Sequence, residues 1–423
     1  MLPTKMNSDY EKLCSCIERI NAGPWQFVQL RGEPLSPKAI DGGDVDLLGT
    51  RASVYALFDA VYGWVQQGEC HARFVAMDGA KYKLFLYSCD GRHQVDFDLW
   101  VELRQLFNRS MMLVPEAALH AATPQSVSLF RLPLELEVSV YVHHVISKRR
   151  LNCFTPGMQE RFEAYAKASH EGALASLLGV VLQQQKVTPE LIQFSDETLK
   201  HFPELCSPSR NGLVAKWKVT RLAGPRSLTW LSLMGGDGCG KTTMAKALQN
   251  RIPERVSGIY TGKHLYRKNL FFKLLVILVR PLLFQNREKF DETLAPLVYG
   301  LACMRLRLGV WFASSKKTVL MDRSLVDFIM CNRKSDEPSF GHKEWMTRVW
   351  GCRIPTVHFL VSYDRLAQRK QEMTLAGIAK YNREMFRHFT RCVPTDYLLF
   401  NNDGGLDLSA DALAELLRRV LKS

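Results

Sequence analysis

A chain of 423 residues, 47% apolar and 23% charged, has enough material for two or three packed domains and too little bias for a disordered, collagenous or coiled-coil protein. Lys and Arg outnumber Asp and Glu by 56 to 42, and the resulting +14 suits a phosphate-rich partner or an anionic surface. The excess is local: residues 226–423 hold 32 basic and 18 acidic side chains, which leaves 24 of each in the first 225. Eleven cysteines without a CxxC pair suggest neither a disulfide framework nor a zinc ribbon, and fit reduced thiols. The start MLPTKMNSDYEKL lacks an apolar run and a cleavage site, and the most apolar stretch, 270–284, is broken by Lys273, Arg280 and Pro281. A cytoplasmic protein without a membrane span is expected.

In chain order, residues 1–118 mix β-rich runs (WQFVQL, ARFVAM, KLFLYS, HQVDFDLW) with the helical SVYALFDAVYGWV, where Val54, Leu57, Phe58, Val61 and Val65 recur at helical spacing. This is an α+β pattern. Residues 119–205 read as a helical appendage, with LELEVSVYVHHVISKRR, GMQERFEAYAKAS and GALASLLGVVLQQQ separated by Pro and Gly. Residues 206–225 read as a linker rich in Pro, Gly, Ser and basic residues. From 226 to 423, SLTWLSLM, SGIYTG, KTVLMD, TVHFLV and DYLLF alternate as strands with helical segments, which predicts a parallel sheet covered on both faces.

Within the first block, Asp44 and Asp46 are two apart, and Asp96 and Asp98 lie on a later predicted strand. Residues two apart on a strand share a face, so these carboxylates are candidate ligands for a metal pair that would activate a hydroxyl. A solvated acidic turn is the other reading. His143 and His144 read as helix residues without assigned chemistry.

The sharpest motif is Gly235-Gly236-Asp237-Gly238-Cys239-Gly240-Lys241-Thr242-Thr243, which satisfies GxxxxGK(S/T) between a predicted strand and a helix. Glycines let successive N–H groups turn inward on phosphate oxygens, and the following helix adds its positive end. Lys241 would reach the outer phosphates and the Thr242 hydroxyl a Mg²⁺ ion. Asp322, closing a predicted strand, would hold the same ion through water, and Arg323 beside it would clamp acceptor oxyanions. Arg369, with Lys370 and Arg383 behind it, is the candidate to neutralise the transferring group; Arg365, Lys380 and Arg387 share that basic stretch.

GGDGCGKTT, the Asp322-Arg323 pair, DRLAQRKQE and YNREMFRHF together resemble the thymidylate kinase family of P-loop kinases over residues 228–421. The resemblance implies ATP and Mg²⁺ at Lys241 and Thr242, an acceptor phosphate at Arg323, a lid holding Arg369 and Lys370, and Asp237 facing the acceptor's sugar. Tyr260–Arg267 departs from that family's acceptor motif, and residues 263–289 carry seven basic residues and one Glu around an apolar strip. The acceptor expected is therefore a phosphorylated small molecule, a nucleotide or phosphosugar, or a lipid-linked phosphate, with peripheral contact to the inner face of an anionic membrane. The glycine turn, Asp44-x-Asp46 and later strand carboxylates resemble the nucleotidyltransferase fold over residues 27–100, with Glu33 where that fold has a serine. The combined expectation is an α/β P-loop kinase joined to an α+β nucleotidyltransferase-like domain with a helical appendage. A homodimer is compatible with it and nucleic acid is not expected. Competing readings are a nucleotidyltransferase as main activity and a regulatory or nucleic-acid-binding P-loop NTPase.

Overall fold

The computed structural model describes residues 4–77, 80–107, 111–151, 153–208, 230–236, 238–253, 256–259, 318–321, 326, 330, 355–368, 373–392 and 396–420. Its N-terminal strands are β1 (Phe27–Gln29), β2 (Val45–Gly49), β3 (His71–Ala76), β4 (Lys81–Tyr87) and β5 (Gln94–Trp100). They are preceded by helix α1 (Thr4–Ala22), and α2 (Arg51–Gln66) lies between β2 and β3. Helix α2 starts at Thr50, whose hydroxyl accepts from the Ser53 amide at 3.1 Å, and its expected stripe of Val54, Leu57, Phe58, Val61 and Val65 is fully buried. Helix α1 follows the same rule with Leu13, Cys16, Ile17 and Ile20, all inaccessible to solvent.

The middle of the chain adds β6 (Leu103–Leu106), β7 (Met111–Leu113), α3 (Pro115–Ala121), β8 (Thr123–Pro124) and β9 (Leu129–Arg131). Helices α4 (Leu134–Ser147), α5 (Pro156–Ala168), α6 (Ala173–Gln184) and α7 (Pro189–Lys200) then pack around Val138, Tyr141, Val142, Phe162, Leu178 and Leu191. Thr155 and Thr188 cap α5 and α7 through their hydroxyls. Strand β10 (Cys206–Pro208) pairs with β7, and β7 with β6, in a small antiparallel sheet.

The remaining elements are β11 (Trp230–Met234), α8 (Lys241–Arg251), β12 (Val256–Ile259), β13 (Thr318–Met321), β14 (Thr356–Leu360), α9 (Tyr363–Ala367), α10 (Leu375–Arg387), β15 (Asp396–Asn401) and α11 (Leu406–Val420). Strands β12, β13, β11, β14 and β15 are neighbours in that order and all parallel. The connection from β11 leaves toward β12 on one side while β14 lies on the other, so the carboxyl end of β11 is a topological switch point.

One twelve-stranded sheet carries both patterns, in the order β12-β13-β11-β14-β15-β3-β4-β5-β2-β1-β9-β8. The seam is β15 against β3, antiparallel, with Tyr397 opposite Phe74 and Leu398 opposite Arg73. Arg73 Nε and Nη2 donate to the two oxygens of Asp396 at 2.7 and 2.6 Å. Burial works against the Arg73 charge, but Asp396 holds the guanidinium above its ordinary pKa. Phe58, Phe74, Phe386 and Tyr397 meet there at edge-to-face and tilted angles, so a single apolar cluster passes through the seam. The fold is mixed α/β around a large central sheet. No helix among the described residues is long and apolar enough to cross a membrane.

Candidate functional site

Strand β11 ends at Met234, paired with His358 of β14, and the chain then turns through Gly235 at φ 144°. A Cβ on Gly235 would stand 2.7 Å from both the Phe359 carbonyl oxygen and Cys239 Sγ. One on Gly236 would stand 2.9 Å from Ile378 Cγ2 of α10. Only glycine fits a loop pressed this tightly between a neighbouring strand and a helix. Gly238 and Gly240 also have positive φ, 83° and 88°, and Gly240 is the N-cap of α8. The caps of α2, α5, α7 and α10 are threonine hydroxyls, whereas α8, like α6, begins at a glycine and has no side-chain cap.

Lys241 is the first residue of α8 and is 8% exposed. Its ammonium donates to the carbonyl oxygens of Gly235 and Gly236 at 2.8 and 3.0 Å and lies 3.5 Å from Cys239 Sγ. Those carbonyls hold a buried ammonium in the mouth of the loop, where an anionic oxygen could replace them as partner. Asn402, just beyond β15, donates from Nδ2 to the Cys239 carbonyl at 2.8 Å, and its own amide donates to the Leu360 carbonyl at 2.7 Å. Three parallel strand ends thus brace the loop. Asn402 was not among the sequence-derived candidates. The signal was available, because parallel strands put the polar Asn401-Asn402-Asp403 run at the same sheet edge as the glycine loop.

The outer face of α8 and the start of α11 form a cavity of about 400 Å³ lined by Thr242, Thr243, Lys246, Asn250, Arg251 and Leu406, among others. Arg251 donates to Asp411 at 2.6 Å and to Asp407 at 2.7 Å, so its charge is already answered, while Lys246 is exposed. The cavity opens beside the two exposed threonines that follow Lys241.

Behind the loop, His358 is fully buried and bridges two elements. Its Nδ1 lies 2.5 Å from the Tyr397 hydroxyl and its Nε2 2.9 Å from Asn382 Oδ1. The amide oxygen only accepts, so Nε2 carries the proton and Nδ1 accepts from Tyr397. Asp237, Asp322, Arg323, Arg369, Lys370 and the 263–289 segment lie outside the described residues. Of the other basic candidates, Arg383 is exposed and its charge acts on Tyr62 of α2, Arg387 lies 3.9 Å from Glu384, and Arg365 reaches the Gly404 carbonyl at 3.5 Å.

The N-terminal carboxylates share one face, and β2 and β5 place Asp46 directly beside Asp98. Their partners are cations of the chain itself. Asp46 receives Arg31 Nε at 2.5 Å and Trp100 Nε1 at 3.1 Å. Asp98 pairs with Lys81, and its other oxygen lies 3.1 Å from Lys83 Nζ, which also lies 3.6 Å from Asp44. Burial opposes the charge of Lys83, yet Asp98, Asp44 and Asp96 carry its pKa upward. Burial and Asp44 push the Asp96 carboxyl up to about 6. Among the described residues no three His, Cys, Asp or Glu side chains form a metal-ligand set. Lys83 stands among the carboxylates expected to hold a metal pair, Asp44, Asp46, Asp96 and Asp98, and in this arrangement ammonium and guanidinium groups of the chain meet the charge of Asp44, Asp46 and Asp98.

His143 is buried, with Nδ1 accepting from the Phe107 amide at 3.2 Å and Nε2 3.1 Å from Asp196. Its role is packing within the helical block.

These features define the class as a mixed α/β protein with a glycine loop at the switch point of its parallel strands. No protein-family model matches the chain, and no curated protein matches its sequence.

Proposed function

We propose that the chain is an ATP- and Mg²⁺-dependent phosphotransferase of the thymidylate-kinase-like type, acting on a phosphorylated acceptor. The observation that carries this reading is the loop from Gly235 to Lys241: three positive-φ glycines, an N-cap without a side-chain partner, and a buried ammonium held by the loop's own carbonyls. Such a loop suits the tail of a nucleoside triphosphate, since backbone N–H groups, the α8 dipole and one lysine all favour negative charge at one point. The cavity between α8 and α11 is the place for the nucleoside, next to that point.

In this reading Lys241 exchanges the Gly235 and Gly236 carbonyls for phosphate oxygens, and the Thr242 hydroxyl is the described group that fits a magnesium ion. The ion would supply charge neutralisation between the outer phosphates. Asn402 keeps the Cys239 peptide oriented, so that the loop's N–H groups meet the ligand without reorganisation. Asp322, Arg323, Arg369 and Asp237 keep the roles that the family resemblance implies. The basic 263–289 segment is the candidate region for the acceptor, whether a nucleotide, a phosphosugar or a lipid-linked phosphate.

The test is transfer of label from γ-labelled ATP to a panel of nucleotide, sugar-phosphate and polyprenyl-phosphate acceptors. We expect Lys241→Ala to lower transfer by at least about 10³-fold, as loss of a group acting on developing charge does. Transfer that persists in Lys241→Ala, or label that moves only from α-labelled nucleotide, would count against this reading.

A further inference from the structure

A second concentration of positive charge lies far along the sheet from the glycine loop, where α4 packs on β1 and β2 and α5 packs against α4. Its centre is the ring of Tyr141. The Arg31 guanidinium stands 5.9 Å from that ring's centroid and the Arg161 guanidinium 5.5 Å, while His144 lies parallel to it at 6.3 Å. Arg161 Nη1 also lies 3.8 Å from where a Cβ on Gly32 would be, so it stands against the β1–β2 turn. Lys81 closes the other side, its ammonium 4.3 Å from the Trp100 ring. Lys148 and Arg150 are exposed at the end of α4.

These groups feel one another. Burial, and then the positive charges of Arg31, Lys148, Lys81 and Arg150, push His144 down to about 3. Burial raises Tyr141 against the downward pull of Arg161, Arg31 and Arg150. Asp46 answers Arg31, and Asp98 answers Lys81. Arg150 and Arg161 have no ion pair among the described residues. The nearby Glu33 and Glu137 act on Arg131, which Glu137 holds at 2.6 Å. Like charges gathered near the Tyr141 and Trp100 rings, with Arg150 and Arg161 unanswered by a carboxylate among the described residues, repel one another until an anion joins them.

We propose that this cluster binds a compact anion carrying several phosphate groups, held by side-chain cations alone and without a divalent metal ion. Guanidinium pairs match phosphate oxygens bidentately, and the Tyr141 and Trp100 rings fix where Arg31, Arg161 and Lys81 present their donors. A metal has no place in the arrangement, because Asp46 and Asp98 already spend their charge on Arg31, Lys81 and Lys83. Arg31 and Arg161 converge on the Tyr141 ring and Lys81 on the nearby Trp100 ring, a compact grouping that favours a small polyanion over a nucleic-acid strand. The inference does not depend on the kinase reading.

The test uses the full chain carrying Lys241→Ala, which removes the glycine loop's own phosphate ligand. Binding of inorganic tripolyphosphate is measured by equilibrium dialysis in EDTA. One equivalent should bind, weakening as salt rises, with no gain on adding Mg²⁺. Arg150→Gln and Arg161→Gln should each weaken it by about tenfold or more, as expected for loss of a charge-assisted hydrogen bond. Lys200→Gln, an exposed position on α7, should leave it unchanged. Arg150 is exposed, so Arg150→Glu carries the test should Arg161→Gln fail to fold. The proposal is overturned by absence of binding, by binding that requires Mg²⁺, by binding indifferent to both arginine variants, or by tighter binding of a single-stranded RNA oligomer than of tripolyphosphate.

Discussion

Replacing Asp396 by Asn tests whether the sheet is one cooperative body. Asp396 opens β15, and Arg73 lies on β3, two strands that meet in the middle of the twelve-stranded order. Their side chains are only 11% and 12% exposed. Asn keeps the shape of the acid but leaves the Arg73 guanidinium in a site that water barely reaches. That guanidinium also lies 4.9 Å from the Phe85 ring and bonds the Tyr87 side chain, whose hydroxyl burial pushes up to about 12, and its charge reaches Asp96 only as a minor influence behind burial, Asp44 and Lys83. Removing one partner of a buried ion pair costs about 3–5 kcal/mol, because the other charge loses its solvent and its counter-ion together. The slight exposure here places the expected loss near the lower end, about 3 kcal/mol. Replacing both residues by apolar ones of similar size, Arg73→Met with Asp396→Leu, should recover most of it, since neither charge then needs solvation. Urea unfolding of the full chain, followed by circular dichroism, measures both. A loss under about 1 kcal/mol in the single variant would show that solvent reaches the pair after all. A double variant no more stable than the single one would refute the argument from desolvation.

Two further outcomes follow from local geometry. The Asp96 carboxyl, with one oxygen buried and without a hydrogen-bond partner, is pushed by burial and by Asp44 up to about 6. The folded chain therefore holds a proton that the unfolded chain releases near pH 4, and this contribution to stability is lost as pH rises from about 4 through 6. Asp96→Asn should leave urea stability unchanged near pH 4 and raise it by up to about 2 kcal/mol at pH 7, and an equal effect at both values would contradict the shift. Gly235→Ala puts a methyl group 2.7 Å from a backbone oxygen at φ 144°, so ATP binding by titration calorimetry should be lost while the circular dichroism spectrum is kept. Near-normal ATP affinity would show that the loop does not need this turn.

The strands of the C-terminal half were legible because each is a short apolar run bounded by turn residues, and a parallel strand buried on both faces needs little else. The α2 stripe was legible for the same reason at helical spacing. The α1 stripe is equally written in Leu13, Cys16, Ile17 and Ile20, a helical spacing that the β-rich runs after it leave inconspicuous. The carboxylate face was legible from two-residue spacing, but its charge balance was not. Lys81 and Lys83 also alternate, on β4, and only the antiparallel register that sets Lys83 opposite Asp98 reveals that they enter the acidic face. The β15–β3 seam lay beyond sequence reading, since it joins residues more than 300 positions apart and an Arg and an Asp that look like surface charges.

That seam bears on the glycine loop itself. Asn402 holds the loop through the Cys239 carbonyl, and its neighbour Asn401 is anchored in the N-terminal half: its amide donates to His71 Nδ1 at 3.2 Å and its side chain to the Val65 carbonyl at 3.0 Å. His71 can accept at Nδ1 only while Nδ1 is unprotonated, and burial pushes its pKa down to about 4, so the acceptor persists through the physiological range. Its Nε2 then donates to the Cys89 carbonyl at 3.1 Å, and the ring stacks on Phe400 at 4.1 Å. Without β3, the edge of β15 would present unpaired backbone groups and the Asp396 carboxylate would lose its cation. The brace behind Cys239 would then hang from a free strand end. The N-terminal half therefore contributes to the rigidity of the glycine loop: it fixes the strand end that fixes the loop.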